Sequence, residues 1–294
     1  MKKAPFTGSG VAIITPFGGN KINYDAFGEI IEQQIAGGTD AIIVCGTTGE
    51  AATMPDAEHL AAIKFVVEKT AGRVPVIAGT GSNDTVHAIY LSQKAQEYGA
   101  DAILTVTPYY NKTSQHGLYN HFKVIAESID IPVILYNVPS RTGMAISIDT
   151  LKELAKIDNI VGIKEASGDI GYTAKIAAEV PELNIYSGND DMIVPMLSIG
   201  AKGVISVLAN IMPKETHDIC EYYFSGETDK SKDLQLRLLK LINNLFIEVN
   251  PVPVKTAMRL IGFNAGNLRA PLCDMTDEHT EILKAEMKKQ GLIK

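Results

Sequence analysis

Lys164 is the residue with the clearest capacity for covalent chemistry. It closes the short run Ile160-Val-Gly-Ile-Lys164. In an extended strand, alternation puts Gly162 and Lys164 on one face and Val161 and Ile163 on the other. A lysine held among apolar neighbours loses hydration of its charged form, so its pKa falls from the usual value of about 10.4. Bringing it to about 7 takes on the order of 4–5 kcal/mol of differential destabilisation, and an amine so prepared is a Schiff-base nucleophile. The ordinary alternative is a structural lysine paired with a carboxylate, or one whose stem snorkels to a rim. Tyr136 shares strand parity with Ile134. A phenol facing the same interior either shuttles protons at an imine or fills a core with its hydroxyl bonded elsewhere.

Two other segments offer places for an anion. The turn Gly46-Thr47-Thr48-Gly49 supplies two hydroxyls and closely set amides, a nest that suits a small carboxylate, although such turns are also ordinary strand-to-helix loops. Arg141, within Pro139-Ser-Arg-Thr-Gly143, has the fork to clamp a carboxylate in bidentate fashion or simply to be solvated. Glu50 and Glu165 offer a carboxylate pair, but parity turns Glu165 away from Lys164. His116 and His121 are spaced wrongly for one helical face and the other histidines are scattered, so no metal site is expected.

These groups need strands to hold them. Short apolar runs recur at residues 11–17, 41–45, 74–78, 102–107, 132–137, 160–164, 184–187 and 203–208, rich in Val and Ile and bounded by Gly, Pro, Asn or Thr. Helical patterns lie between them. Phe27, Ile30, Ile31 and Ile35 form one stripe before Gly37-Gly38. Leu60, Ile63 and Val67 form another, opened by Thr53 as a cap with Pro55 and Asp56 in the first turn. Strands apolar almost throughout, each followed by a helix, call for a parallel sheet covered by helices. Eight such units, with no Gly-x-Gly-x-x-Gly opening the first helix, favour an α/β (β/α)8 TIM barrel over an open doubly wound sheet. The expected catalytic barrel spans residues 1–226. Residues 227–294 carry only helical patterns, among them a Leu-rich stripe over 229–247, and are expected to form a C-terminal helical domain.

The 294 residues include 27 Lys+Arg against 34 Asp+Glu, for a net charge of −7, with no basic block beyond short pairs. Nucleic-acid binding is therefore not expected. No apolar stretch has the length of a signal peptide or a membrane span. Cys45, Cys220 and Cys273 have no paired spacing, which suits a reducing, cytoplasmic setting. A net negative chain acting on an anion must supply its positive charge locally.

Gly46-Thr-Thr-Gly-Glu50, Tyr136-Asn-Val-Pro-Ser-Arg-Thr-Gly143 and Gly162-Ile-Lys-Glu-Ala-Ser167, in this order, resemble the dihydrodipicolinate synthase branch of the pyruvate-dependent class I aldolases. The likeness runs the length of the chain. It implies a TIM barrel with a C-terminal helical domain, assembled as a homotetramer from two tight dimers. It implies condensation of pyruvate with L-aspartate-4-semialdehyde, the first committed step of the diaminopimelate and lysine pathway, with neither metal nor organic cofactor. By this resemblance Lys164 is the imine-forming lysine and Tyr136 the tyrosine that shuttles protons at the imine. Thr47 links Tyr136 to a second tyrosine, Tyr110, which in the family enters the neighbouring subunit's site. Arg141 holds the semialdehyde's carboxylate, and Thr48, Gly188 and Ile205 line the pyruvate pocket.

Lyases of sialic acid and other sugar acids share the lysine and the tyrosine of the fifth strand. Arg141 with Tyr109-Tyr110 marks the synthase branch. A sugar-acid aldolase, and a barrel that binds a keto acid without turnover, are the two rival readings. Lysine-inhibited members carry a serine directly after Gly-Thr-Thr-Gly-Glu and a glutamate on the following helix. Here Ala51 and His87 stand at those positions while Asn83 and Tyr109 match, so inhibition by lysine is expected to be weak or absent.

Overall fold

The computed structural model describes residues 2–294. Eight parallel strands close on themselves: β1 (Gly8–Ala12), β2 (Ala41–Val44), β3 (Val76–Gly79), β4 (Ala102–Val106), β5 (Val133–Asn137), β6 (Ile160–Glu165), β7 (Asn184–Ser187) and β8 (Gly203–Ser206). Neighbours in sequence are neighbours in the barrel, and β8 closes against β1 through Gly8↔Gly203 and Gly10↔Ile205. The expected (β/α)8 barrel is therefore the observed fold.

Parity divides the side chains into two sets. Val11, Ile42, Val44, Ile103, Leu135 and Ile163 join one apolar layer with helix residues such as Phe27 and Phe122. Ala12, Ile43, Leu104, Ile134, Tyr136 and Ile205 join the other, inside the barrel. Phe6, just before β1, belongs to this inner set and plugs the N-terminal end, its ring stacked on Tyr186 at 4.5 Å while the Tyr186 hydroxyl donates to the Phe6 carbonyl at 2.7 Å.

That plug explains where the sequence misleads about β1. The strand runs through Gly8-Ser9-Gly10 rather than through residues 13–17. A Cβ on Gly10 would meet Phe6 Cζ at 2.8 Å and Ile43 Cδ1 at 2.7 Å, so small residues are what this inner position requires. Phe17 instead opens a two-stranded hairpin, Phe17–Gly18 with Lys21–Ile22. A second correction concerns the helix Asp56–Thr70. Its N-cap is Pro55, and Thr53 ends a short 3-10 turn, its hydroxyl donating to the Glu50 carbonyl at 3.0 Å. The helix Tyr24–Ala36 forms where its stripe predicts, with Asn23 accepting from the Ala26 amide at 3.1 Å.

Beyond β8 the chain is helical: Pro213–Phe224, Thr228–Asn244, Val252–Leu260 and Asp277–Lys289. Leu238, Leu241, Ile242 and Leu245 are buried in the outer core, so the Leu-rich stripe is largely consumed within the chain. Among the described residues no helix is long and apolar enough to cross a membrane.

Candidate active site

Lys164 lies in register between Tyr136 on β5 and Tyr186 on β7. All three point into the barrel, and Gly162, two residues earlier on β6, lies so close to β7 that a Cβ there would meet the Asn184 carbonyl oxygen at 2.6 Å. Only 7 % of Lys164 is exposed, and its Nζ sits 4.4 Å from the centre of the Tyr136 ring. The other deeply buried lysine provides the contrast: Lys255 Nζ is 2.6 Å from Glu50 Oε1 in a pair closed to solvent. Among the described residues no such carboxylate contacts Lys164. Burial accordingly lowers its pKa to about 8, with the Arg141 guanidinium pushing the same way and the Asp190 carboxylate opposing. This is the free-amine chemistry expected of an imine-forming nucleophile, halted short of neutrality by a carboxylate that strand parity does not reveal.

Asp190 lies three residues past the end of β7. It is buried, and its Oδ2 accepts from the amides of Val207 at 2.9 Å and Leu208 at 3.0 Å, while Oδ1 has no partner among the described residues. Burial raises its pKa, against the Ser206 hydroxyl and those two amides. Its carboxylate is the group that opposes the lowering of the Lys164 pKa.

The Tyr136 phenol is pushed up by burial, with the Arg141 guanidinium and the Thr47 hydroxyl drawing it down. Arg141 and Thr47 thus join Lys164 and Tyr136 at one end of the barrel. Arg141 sits at the exposed rim in the short helix Pro139–Thr142, directly after β5. The Gly46–Gly49 turn is closed by Gly49 N donating to the Gly46 carbonyl at 3.1 Å and Glu50 N to the Thr47 carbonyl at 3.0 Å. The Thr47 and Thr48 amides donate to no acceptor among the described residues. Thr48 is buried, and its Oγ1 accepts from Asn250 Nδ2 at 3.0 Å.

Ile205 takes its place in the inner apolar set. Gly188 packs against β6, its amide donating to the Glu165 carbonyl at 2.7 Å, and a Cβ there would meet Ala166 Cβ at 2.5 Å. Tyr110 is not brought to this cluster by its own chain. It is 92 % exposed, on a loop where its φ is 68°.

Glu50 and Glu165 are not a catalytic pair. Glu165 points outward, accepting from Asn137 Nδ2 at 2.7 Å and the Ser167 amide at 2.6 Å. Glu50 binds Lys255 and accepts from the Arg269 amide at 3.0 Å. Around the helix Thr85–Glu97, Asn83 Nδ2 donates to the Tyr109 carbonyl at 3.2 Å, and His87 bridges Asp56 Oδ1 at 2.9 Å and Ser82 Oγ at 3.2 Å. Asp56 is a carboxylate the sequence does not single out there, and it is already committed to His87.

The sequence profile of the Dihydrodipicolinate synthetase family matches residues 5–290. The chain belongs to this family. A 4-hydroxy-tetrahydrodipicolinate synthase from Acetivibrio thermocellus is 60% identical over 294 residues, covering 100% of both chains. Among solved structures, the dihydrodipicolinate synthase of Aquifex aeolicus matches with a TM-score of 0.95 at 44% identity, over 98% of this chain and 99% of its own. The chloride-inhibited dihydrodipicolinate synthase of Acinetobacter baumannii, complexed with pyruvate, matches with a TM-score of 0.94 at 42% identity, over 98% and 99%. The family membership accords with the resemblance carried by the Lys164, Tyr136 and Thr47 segments.

Proposed function

We propose that this chain is a 4-hydroxy-tetrahydrodipicolinate synthase, condensing pyruvate with L-aspartate-4-semialdehyde through a Schiff base on Lys164. The observation that carries the chemistry is a buried lysine with no carboxylate against it among the described residues, in register with Tyr136, whose phenol meets Thr47 in a turn where two amides have no acceptor among those residues. Pyruvate's carboxylate lies on the Thr47–Thr48 turn, and Gly188 and Ile205 bound its pocket. The Lys164 amine attacks the ketone carbon, and the carbinolamine loses water on receiving a proton from Tyr136. The resulting iminium withdraws electrons, so the methyl carbon gives up a proton and becomes an enamine. That carbon bonds to the aldehyde carbon of the semialdehyde, whose carboxylate Arg141 holds at the rim. The semialdehyde's own amine then attacks the imine carbon and displaces Lys164, closing the ring. Positive charge is thus local and the net charge of −7 is no obstacle.

A homotetramer of two tight dimers fits the exposure of Tyr110, which in such an assembly extends the Tyr136–Thr47 relay of a neighbouring copy. The unpaired cysteines suit the cytoplasm. An assay that follows loss of the semialdehyde in the presence of pyruvate tests the function directly. Cleavage of sugar acids without semialdehyde condensation would favour the sugar-acid aldolase instead.

Two further outcomes follow from the site. Arg141→Ala should raise the KM for semialdehyde roughly a hundredfold, the scale of losing a charged hydrogen-bonding partner, with much smaller loss in borohydride trapping of pyruvate. Equal loss in both would remove Arg141 from its role. L-Lysine should inhibit only above about 1 mM, because His87 occupies Asp56 and brings no carboxylate of its own. Steady-state inhibition at saturating pyruvate measures this, and a constant in the micromolar range would contradict it.

A further inference from the structure

The turn that links the helices Thr228–Asn244 and Val252–Leu260 reaches back over the mouth of the barrel at Asn250. Asn250 touches both ends of the site, by different atoms. Its side-chain Nδ2 donates to Thr48 Oγ1 at 3.0 Å, and its main-chain carbonyl accepts from Arg141 Nη2 at 3.4 Å. Thr48 and Arg141 are the groups assigned above to the carboxylates of the two substrates.

A hydroxyl that accepts from an amide keeps its own proton for another acceptor. With its lone pair engaged by Asn250, the Thr48 hydroxyl is set to donate, which is the polarity a substrate carboxylate needs. A buried asparagine serving only to tie two segments together would be expected to use both ends of its amide. Here Oδ1 is buried without a partner among the described residues, and the donor end goes to the substrate turn.

We infer that Asn250 is a positioning residue for pyruvate, orienting the Thr48 hydroxyl toward the substrate carboxylate, while its backbone independently steadies Arg141. The inference rests on the imine reading above and deepens it. Because side chain and backbone serve different substrates, changing the side chain should separate them.

The experiment measures the pyruvate concentration that half-saturates borohydride trapping on Lys164, read by mass, together with the KM for semialdehyde. Asn250→Ala should raise the pyruvate value roughly tenfold, the scale of one hydrogen bond to a charged group. Asn250→Asp should raise it further, since a carboxylate can only accept, draws the Thr48 proton to itself, and repels the substrate. In both variants the semialdehyde KM should stay within about twofold, the ordinary scatter of a change that leaves that substrate's contacts intact. In a Thr48→Val background, Asn250→Ala should add nothing, as two groups acting through one contact are not additive. Unchanged half-saturation in the Asp variant would overturn the inference. So would a parallel rise in both substrate constants, or full additivity with Thr48→Val. A parent enzyme that traps no pyruvate would instead refute the imine reading, which keeps the two failures apart.

Discussion

Lys164→Ala protein should give no borohydride-stable adduct with pyruvate and should lose at least three orders of magnitude or so in condensation rate, since removing a covalent nucleophile takes away the whole path. Mass analysis of the reduced protein and the semialdehyde assay are the measurements. A variant that labels and turns over like the parent would end the assignment. The parent should also show the titration of this amine. With a pKa of about 8, roughly one molecule in ten carries the free amine at pH 7. The rate of imine formation should therefore rise with pH, close to tenfold per unit, and level off above about 8.

The same burial affects stability with a definite sign. The folded-state pKa lies below that of the unfolded chain, so between about 8 and 10.5 the unfolded state binds the extra proton. The penalty is full below that window and disappears above it. Lys164→Met, which keeps the volume and drops the charge, should raise stability at pH 6–7 by about 2–3 kcal/mol, and by little at pH 11. Thermal melts at the two pH values would show it.

Glu50→Ala should be the most damaging change to the fold. It leaves the Lys255 ammonium, 0 % exposed, without its carboxylate, and deprives the Arg269 amide of its acceptor. Breaking a buried pair from one side costs about 3–5 kcal/mol, which corresponds to a melting temperature lower by about 10 °C in a chain of this size. Glu50 also has a left-handed backbone, φ 58°, which alanine tolerates no better. The pairing is testable by its partner. Glu50→Gln with Lys255→Met removes both charges while keeping an acceptor for Arg269, and should recover most of the loss. A double variant as unstable as Glu50→Ala would place the cost elsewhere.

The chain's own patterning reveals some of this and conceals the rest for a physical reason. Alternation along β5 and β6 is a local property, so Tyr136 and Lys164 could be set inside the barrel, and Glu165 outside, from a few residues each. Repetition of apolar strands and amphipathic helices likewise makes the barrel legible. The residues that patterning misses around the candidate site lie beyond strand ends. Asp190 gains its meaning from two amides at the end of β8. Asn250 meets Thr48 across 202 residues of sequence, and no local rule spans that distance. Glu50 shows the limit most sharply, because its charge invites a catalytic pairing and only the fold reveals Lys255 behind it. The misplacement of β1 has a similar origin: Gly8-Ser9-Gly10 reads as loop until Phe6 occupies the space inside it.

The link between Glu50 and Lys255, separated by 205 residues, has a consequence for the order in which the protein is made. Chains emerge from the ribosome N-terminus first. All eight strands, Lys164 included, are therefore synthesised before the residues that pair with Glu50 and Thr48. A nascent or truncated chain ending before residue 250 carries Lys164 but lacks Lys255, so Glu50, directly after the Gly46–Gly49 turn, has lost its buried partner. On the proposed reading, Lys164 therefore gains its finished surroundings only once the chain has passed Lys255.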